Sequence, residues 1–363
     1  MTRAPLRRVT IARLALLGLL LPVIAGCEGC HRQIRFQPAD NAPALHSADS
    51  LRALIRQAQD LWEQPDGGEA AAAATAAVLR EDLQGHSDQP WDQRARRFLD
   101  SLDCGAEIRA DRRVLAVNLF ARSRPDAGAW PWLYWRTRNG ITWHALAGRN
   151  LQLLQVSARP DSTGNPDGWA QVAVLFGRRA AAGQEPLLTV WNPPAGKVWA
   201  PFQALGPDSL GGMGTVQFQS EGDSIVAVAR TFRGMPRFEE CATCPHVYTV
   251  HRFRWLPEGF VRVEDRPVAS PYTTFVQFVL ALGDGDQNTA ATLVADPALI
   301  EQARLFDFAA LPKGMWRTAP ATEDNMTNMV FFRGQQEAYQ VSFEPRGDTW
   351  LISSIKQTTR SIE

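Results

Sequence analysis

The sequence predicts an α+β protein of several domains: N-terminal helices packed on an antiparallel β sandwich or open barrel, followed by a small α+β domain. Three observations predict it. A chain of 363 residues exceeds the usual size of one domain. Apolar residues recur at helical spacing in the first hundred residues, alternate with period two from Ala106, and return to helical spacing after Ser270-Pro271. A hydrophobic share of 45% with 21% charged residues is that of ordinary globular material.

The first 26 residues read as an export signal. A basic stretch, MTRAPLRR, precedes the apolar run 14–25, which is too short to span a bilayer as a helix. Ile24-Ala25-Gly26-Cys27 then resembles the lipobox of bacterial lipoproteins, an aliphatic and two small residues before the cysteine that is acylated. The resemblance implies diacylglycerol on Cys27, usually with a further acyl chain, and more than one chain is what stable anchoring requires. Glu28 stands where an Asp would mark inner-membrane retention, so in a two-membrane bacterium it implies the outer membrane, facing the periplasm. Cys27, Cys30 and His31 also spell C-x-x-C-H, the attachment motif of c-type haem. Haem needs both thiols and an apolar pocket, whereas acylation takes Cys27 and the following RQIRFQPADNAPA is a polar tether over 27–46. The anchor is therefore preferred, and no cofactor is expected.

In segment 47–104, Leu51, Leu54, Ile55, Ala58, Leu61 and Trp62 fall on one helix face, with Ser47 or Asp49 placed to cap it. Pro65-Asp66-Gly67-Gly68 stops that helix. The Ala-rich stretch 69–83 predicts a second, because alanine loses no side-chain entropy on helix formation. Pro90 opens a third, whose apolar face is Trp91, Ala95, Phe98, Leu99 and Leu102. Three short helices bury little alone, so they are expected to pack on the β domain that comes next in the chain.

Segment 105–268 is read as the antiparallel β domain. Stretches 114–120, 151–156, 171–176, 187–191, 224–229, 248–253 and 260–263 are short, β-branched or aromatic, and separated by Gly, Pro and Asp turns. About ten strands are expected, too few to fill three four-stranded propeller blades, and no repeat period is visible. Within it, Trp130-Pro-Trp-Leu-Tyr-Trp135 would place Trp130, Trp132 and Tyr134 on one face if extended, a surface on which a ligand could stack. Core packing is the competing and preferred use of those rings. Asp161, Thr163, Asn165 and Asp167 alternate like calcium ligands, but two carboxylates are few and a hairpin loop is expected.

Setting Cys27 aside leaves Cys30, Cys104, Cys241 and Cys244, an even number for an oxidising compartment. The preferred pairing is Cys241 with Cys244 and Cys30 with Cys104. Zinc held by Cys241, Cys244, His246 and His251 matches no common finger spacing, and a redox pair would want its first cysteine at a helix N-terminus.

Segment 269–363 opens with a helix over 272–282, then helices near 288–294 and 297–306, then strands at 329–332, 338–344 and 350–356. Asp284, Asp286 and Asn288 begin like a calcium loop, but Thr289 and Ala295 replace its glycine and closing glutamate, so Asp286 is read as a helix cap. This order of elements and the phrase FVLALGDGDQNTAATLVADPALIEQA resemble the NTF2-like family, which implies a curved sheet around a helix with an apolar mouth. No histidine lies beyond His251, and no acid stands out as a buried base, so inert relatives are the better comparison.

Over the mature chain 34 basic residues face 38 acidic ones once the leader's four arginines are removed, which excludes nucleic acid as the expected partner. The sequence therefore predicts an anchored envelope protein acting as a non-catalytic binding or assembly module. Its expected partners are a lipid bilayer, through acylated Cys27, and another envelope protein or a small apolar ligand. The competing class is an enzyme or thiol-redox protein using a C-terminal pocket or the Cys241/Cys244 pair.

Overall fold

Three helices, three antiparallel sheets, a second set of helices and a fourth antiparallel sheet follow one another in a computed structural model that describes residues 48–358 apart from 65, 87–88, 103, 112–113, 138–139, 147–149, 161–168, 193–199, 223, 240, 311–313, 319–326 and 336. Helices α1 (Ala48–Glu63), α2 (Gly68–Gly85) and α3 (Trp91–Ser101) occupy the segments marked by helical spacing. The Trp62 indole donates to Thr75 Oγ1 at 2.9 Å between α1 and α2, and Arg94 of α3 donates to the buried carboxylate of Asp82 in α2 at 2.6 Å.

The strands follow as uninterrupted meanders. The first sheet is β1 (Cys104–Asp111), β2 (Val114–Ala121), β3 (Ala129–Thr137) and β4 (Gly140–Ala145). The second is β5 (Gln152–Pro160), β6 (Trp169–Ala180), β7 (Gly183–Asn192) and β8 (Ala200–Leu205). After the single turn α4 (Pro207–Leu210), β9 (Met213–Glu221), β10 (Ser224–Phe232), β11 (Thr249–Leu256) and β12 (Gly259–Pro267) make the third. Among the described residues, twelve strands in three sheets stand where about ten in one sandwich or open barrel were expected. The four-stranded meander is the unit from which a propeller blade is also made.

Strand alternation explains how the layers stack. In β2, Leu115, Val117 and Leu119 join the core that holds α1–α3, while Val114 and Ala116 point the other way, into a core shared with Leu153, Val156 and Ala158 of β5. In β6, Val172, Val174 and Phe176 face that same core, and Ala173 and Leu175 face a third one with Val216, Ala229 and Trp255 of the third sheet. A strand buried on both faces loses its polar alternation, which is why β2 and β6 read as near-continuous apolar runs. Each leucine so buried contributes about 1.5–3 kcal/mol. The other face of the third sheet is polar: Arg252 reaches Glu221 and, at 3.4 Å, Glu264. That face ends the stack in solvent.

After Pro267 come α5 (Pro271–Asp284), α6 (Gln287–Thr292) and α7 (Ala298–Leu305), then a fourth sheet of β13 (Trp316–Thr318), β14 (Asn328–Arg333), β15 (Glu337–Arg346) and β16 (Thr349–Thr358). Ser270 caps α5 by accepting from Thr273 N at 3.0 Å, with Pro271 at the first helical position. Asp286 caps α6 by accepting from Thr289 N at 3.0 Å. Phe275 and Phe278 of α5 are fully buried against Phe331, Val341 and Ile352 of the sheet.

Candidate functional site

Three places hold the chemistry that the sequence singles out. The first is the aromatic face of β3. Trp130, Trp132 and Tyr134 do share a face, and Trp143 of β4 joins them, stacked on Trp132 with ring centroids 4.9 Å apart. That face looks toward the helices. Trp130 lies 6.0 Å from Trp62 and so close to Gly68 that a Cβ there would fall 2.2 Å from the ring, which fixes glycine at the start of α2. Tyr134 is fully buried and donates to Ala76 O at 3.1 Å, and burial pushes its hydroxyl pKa well up. Tyr134 therefore ties sheet to helix and presents no face to a ligand, while Trp130 and Trp132 pack half-buried on the same core.

The second place is the long connection 233–248 between β10 and β11. It leaves its own sheet and pairs with the fourth: Phe238 bridges Trp316 in parallel, Glu239 N donates to Trp316 O at 2.7 Å, and Trp316 N donates to Arg237 O at 2.8 Å. Phe238 is buried in the C-terminal core, edge-on to Tyr272 and Phe275. Arg237 takes a left-handed φ of 71° and donates to Ala309 O at 3.3 Å. Directly beyond, Cys241 and Cys244 are joined by a disulfide, with Cys241 at the exposed surface. No helix begins at Cys241, so the dipole that lowers the pKa of a redox thiol has no counterpart here. The four residues of the zinc constellation are also drawn apart. The two sulfurs bond each other, His246 stacks on Phe232 at 3.5 Å, and His251 meets Asp265 at 2.6 Å.

The third place is the interior of the C-terminal unit, where the NTF2-like resemblance implies a mouth. It is filled by aromatic rings, and Arg333 at the end of β14 enters it at 1% exposure. Its Nε donates to Glu337 at 2.7 Å, Nη1 to Asp307 O at 2.5 Å, and Nη2 to Phe306 O at 2.7 Å. Tyr339 OH accepts from Nη2 at 3.2 Å and donates to Glu337 at 3.1 Å. The guanidinium lies 5.0 Å from the Trp316 ring and 5.8 Å from that of Phe308. Burial raises the Tyr339 pKa against the opposing charge of Arg333. Every polar group of this network is engaged within it, so it holds the C-terminal turn of α7 rather than a reacting group. Sequence reasoning missed it, although Arg333 and Glu337 flank the β14–β15 hairpin as a directly opposed pair. Beside it a cleft of about 380 Å3 opens at the ends of α5 and α7, lined by Leu282, Ala303, Arg304, Asp307 and Phe308.

No family model matches the chain, and no curated protein matches it.

Cys27, Cys30, His31 and the 161–167 loop lie outside the described residues, and so does one end of the expected Cys30–Cys104 pairing. Cys104 itself is buried at the start of β1, its Sγ 3.3 Å from Gly105 O. Among the described residues no helix is long and apolar enough to cross a membrane, and no group of three His, Cys, Asp or Glu is placed to hold a metal ion.

Proposed function

We propose that this chain is a lipoprotein of the cell envelope, held at a bilayer by acylated Cys27, whose globular part serves as a non-catalytic binding or assembly module. The observation that carries this is the leader, in which a basic stretch and a short apolar run end on Ile24-Ala25-Gly26-Cys27. The Cys241–Cys244 disulfide supports an oxidising compartment, since such bonds persist outside the cytoplasm. Three helices followed by a four-stranded meander support an NTF2-like reading of the C-terminal unit. There the inward polar groups are paired with one another, which favours a scaffold over an acid–base catalyst. The partner is another envelope protein or a small apolar ligand.

The test is fractionation of the native chain beside Cys27→Ala, with mass mapping of the leading peptide and crosslinking in the intact envelope. The expected result is a membrane-bound protein whose first peptide begins at Cys27 with acyl mass, a soluble variant, and one reproducible crosslinked partner. A soluble wild-type protein without acyl mass and with a porphyrin absorbance band would establish the haem alternative instead. Two free reactive thiols at Cys241 and Cys244 in unreduced protein would favour the thiol-redox class.

A further inference from the structure

A cleft of about 470 Å3 lies between the start of α3 and β1, well inside the size range of small-molecule sites. Two guanidinium groups line it. Arg109 donates through Nε to Leu154 O at 2.7 Å and through Nη1 to Ile108 O at 2.9 Å, and Arg96 reaches the same Ile108 O through Nη2 at 3.4 Å. Because both converge on one carbonyl, their remaining N–H groups lie close together, and neither arginine has a carboxylate partner among the described residues. Asp92 lines the same cleft, also without an ion-pair partner among the described residues, so the lining carries a net charge of about +1.

The wall of the cleft is apolar. Pro90, the buried Ile108 and Trp91 form it, with Trp91 only 8% exposed and its other surroundings including the Arg136 guanidinium 4.8 Å from the ring. The Trp91 indole Nε1 is buried and has no hydrogen-bond partner among the described residues, so what the ring offers the cleft is apolar surface. Guanidinium groups bind planar two-oxygen heads through paired parallel hydrogen bonds. A lining of net +1 suits a monoanion, whereas a phosphate ester carries about −1.5 to −2 at neutral pH and would be opposed by Asp92.

We infer that this cleft binds a small monoanionic carboxylate with a flat apolar body, its head forked between Arg96 and Arg109 and its body against Trp91. The inference goes beyond the anchored-module proposal and makes no use of the lipid. Benzoate is the probe, titrated calorimetrically into the full chain beside benzyl alcohol, benzylammonium and phenyl phosphate. Benzoate is expected to bind, and the neutral and cationic analogues are not. Arg96→Ala should weaken benzoate about tenfold, the size of one charge-assisted hydrogen bond, while Asp92→Asn tightens it. Arg96 is exposed, so its removal should leave the unfolding midpoint in place and keep the comparison clean. Arg109→Lys, which keeps the charge and loses the fork, should also weaken binding. No benzoate binding, binding indifferent to both arginine variants, or tighter binding of phenyl phosphate than of benzoate would each overturn the assignment.

Discussion

Replacing Arg333 by alanine should loosen the end of α7 and the core beneath it, and the size of the effect can be worked from the groups that the guanidinium holds. Truncation removes the guanidinium donor from Phe306 O and from Asp307 O, which keeps only its bond from Ala310 N, and leaves Glu337 with Tyr339 OH but without its cation. Breaking a fully buried pair costs about 3–5 kcal/mol. Glu337 keeps 25% of its side chain in solvent and Asp307 is exposed, so water recovers part of that and about 3 kcal/mol is expected. Leu305, the last helical residue of α7, is 85% exposed and adds nothing, so the side-chain ties that remain are Gln302 to Ile355 O at 3.1 Å and the buried ring of Phe308. Hydrogen exchange resolved by peptide should therefore show protection over Ala298–Leu305 falling roughly 100-fold, with α1–α3 unchanged. Arg333→Met fills the volume without the donors and should lose nearly as much, whereas Arg333→Lys should lose less. Protection within threefold of wild type in the alanine variant would refute the idea that the guanidinium fastens α7.

Two further outcomes can be checked. Cys241→Ser with Cys244→Ser opens a closed loop of only four residues, which in the chain-entropy picture removes about 2 kcal/mol at most, and exchange at Glu239 and Trp316 should quicken while the first sheet stays protected. Asp265 has its carboxyl held below the ordinary range first by the hydrogen bond from His251 and then by Arg262, so the folded protein binds fewer protons there than the unfolded one. Its contribution is present above the ordinary carboxylate pKa of about 4 and fades as pH falls through the lowered folded value, so urea midpoints of Asp265→Asn should show a flatter acid limb than wild type. The half-exposed carboxylate keeps that effect small; an unchanged acid limb would count against it.

Much of the architecture is legible residue by residue, and the gaps have a common cause. The helices at 48–63, 68–85 and 91–101 show in their apolar spacing, and the central strands show in their apolar runs. The strands that escape notice are β1, β4, β8, β9 and β13, and each lies at the edge of its sheet. Edge strands bury one neighbour fewer and carry more polar residues; in β9, MGTVQFQSE, only Val216 is buried. Composition hides them. The three-sheet stack was out of reach because nothing in an alternating strand says which sheet lies opposite its apolar side. Of the candidate residues, the 241–244 pairing was legible from proximity alone, and Tyr134's inward role needed the position of Ala76 to be known. Arg333 looked like any charge at a strand end, since burial of an arginine depends on carbonyls contributed from 26 and 27 residues away.

Because within each sheet every strand pairs with its neighbours in the chain, each sheet can be assembled in the order in which it emerges, without waiting for distant strands. The 233–248 excursion breaks that economy: Arg237, Phe238 and Glu239 find their seat only when Trp316 arrives nearly eighty residues later. A chain cut short before β13 would lack the backbone partner of Arg237 and Glu239 and the core that buries Phe238.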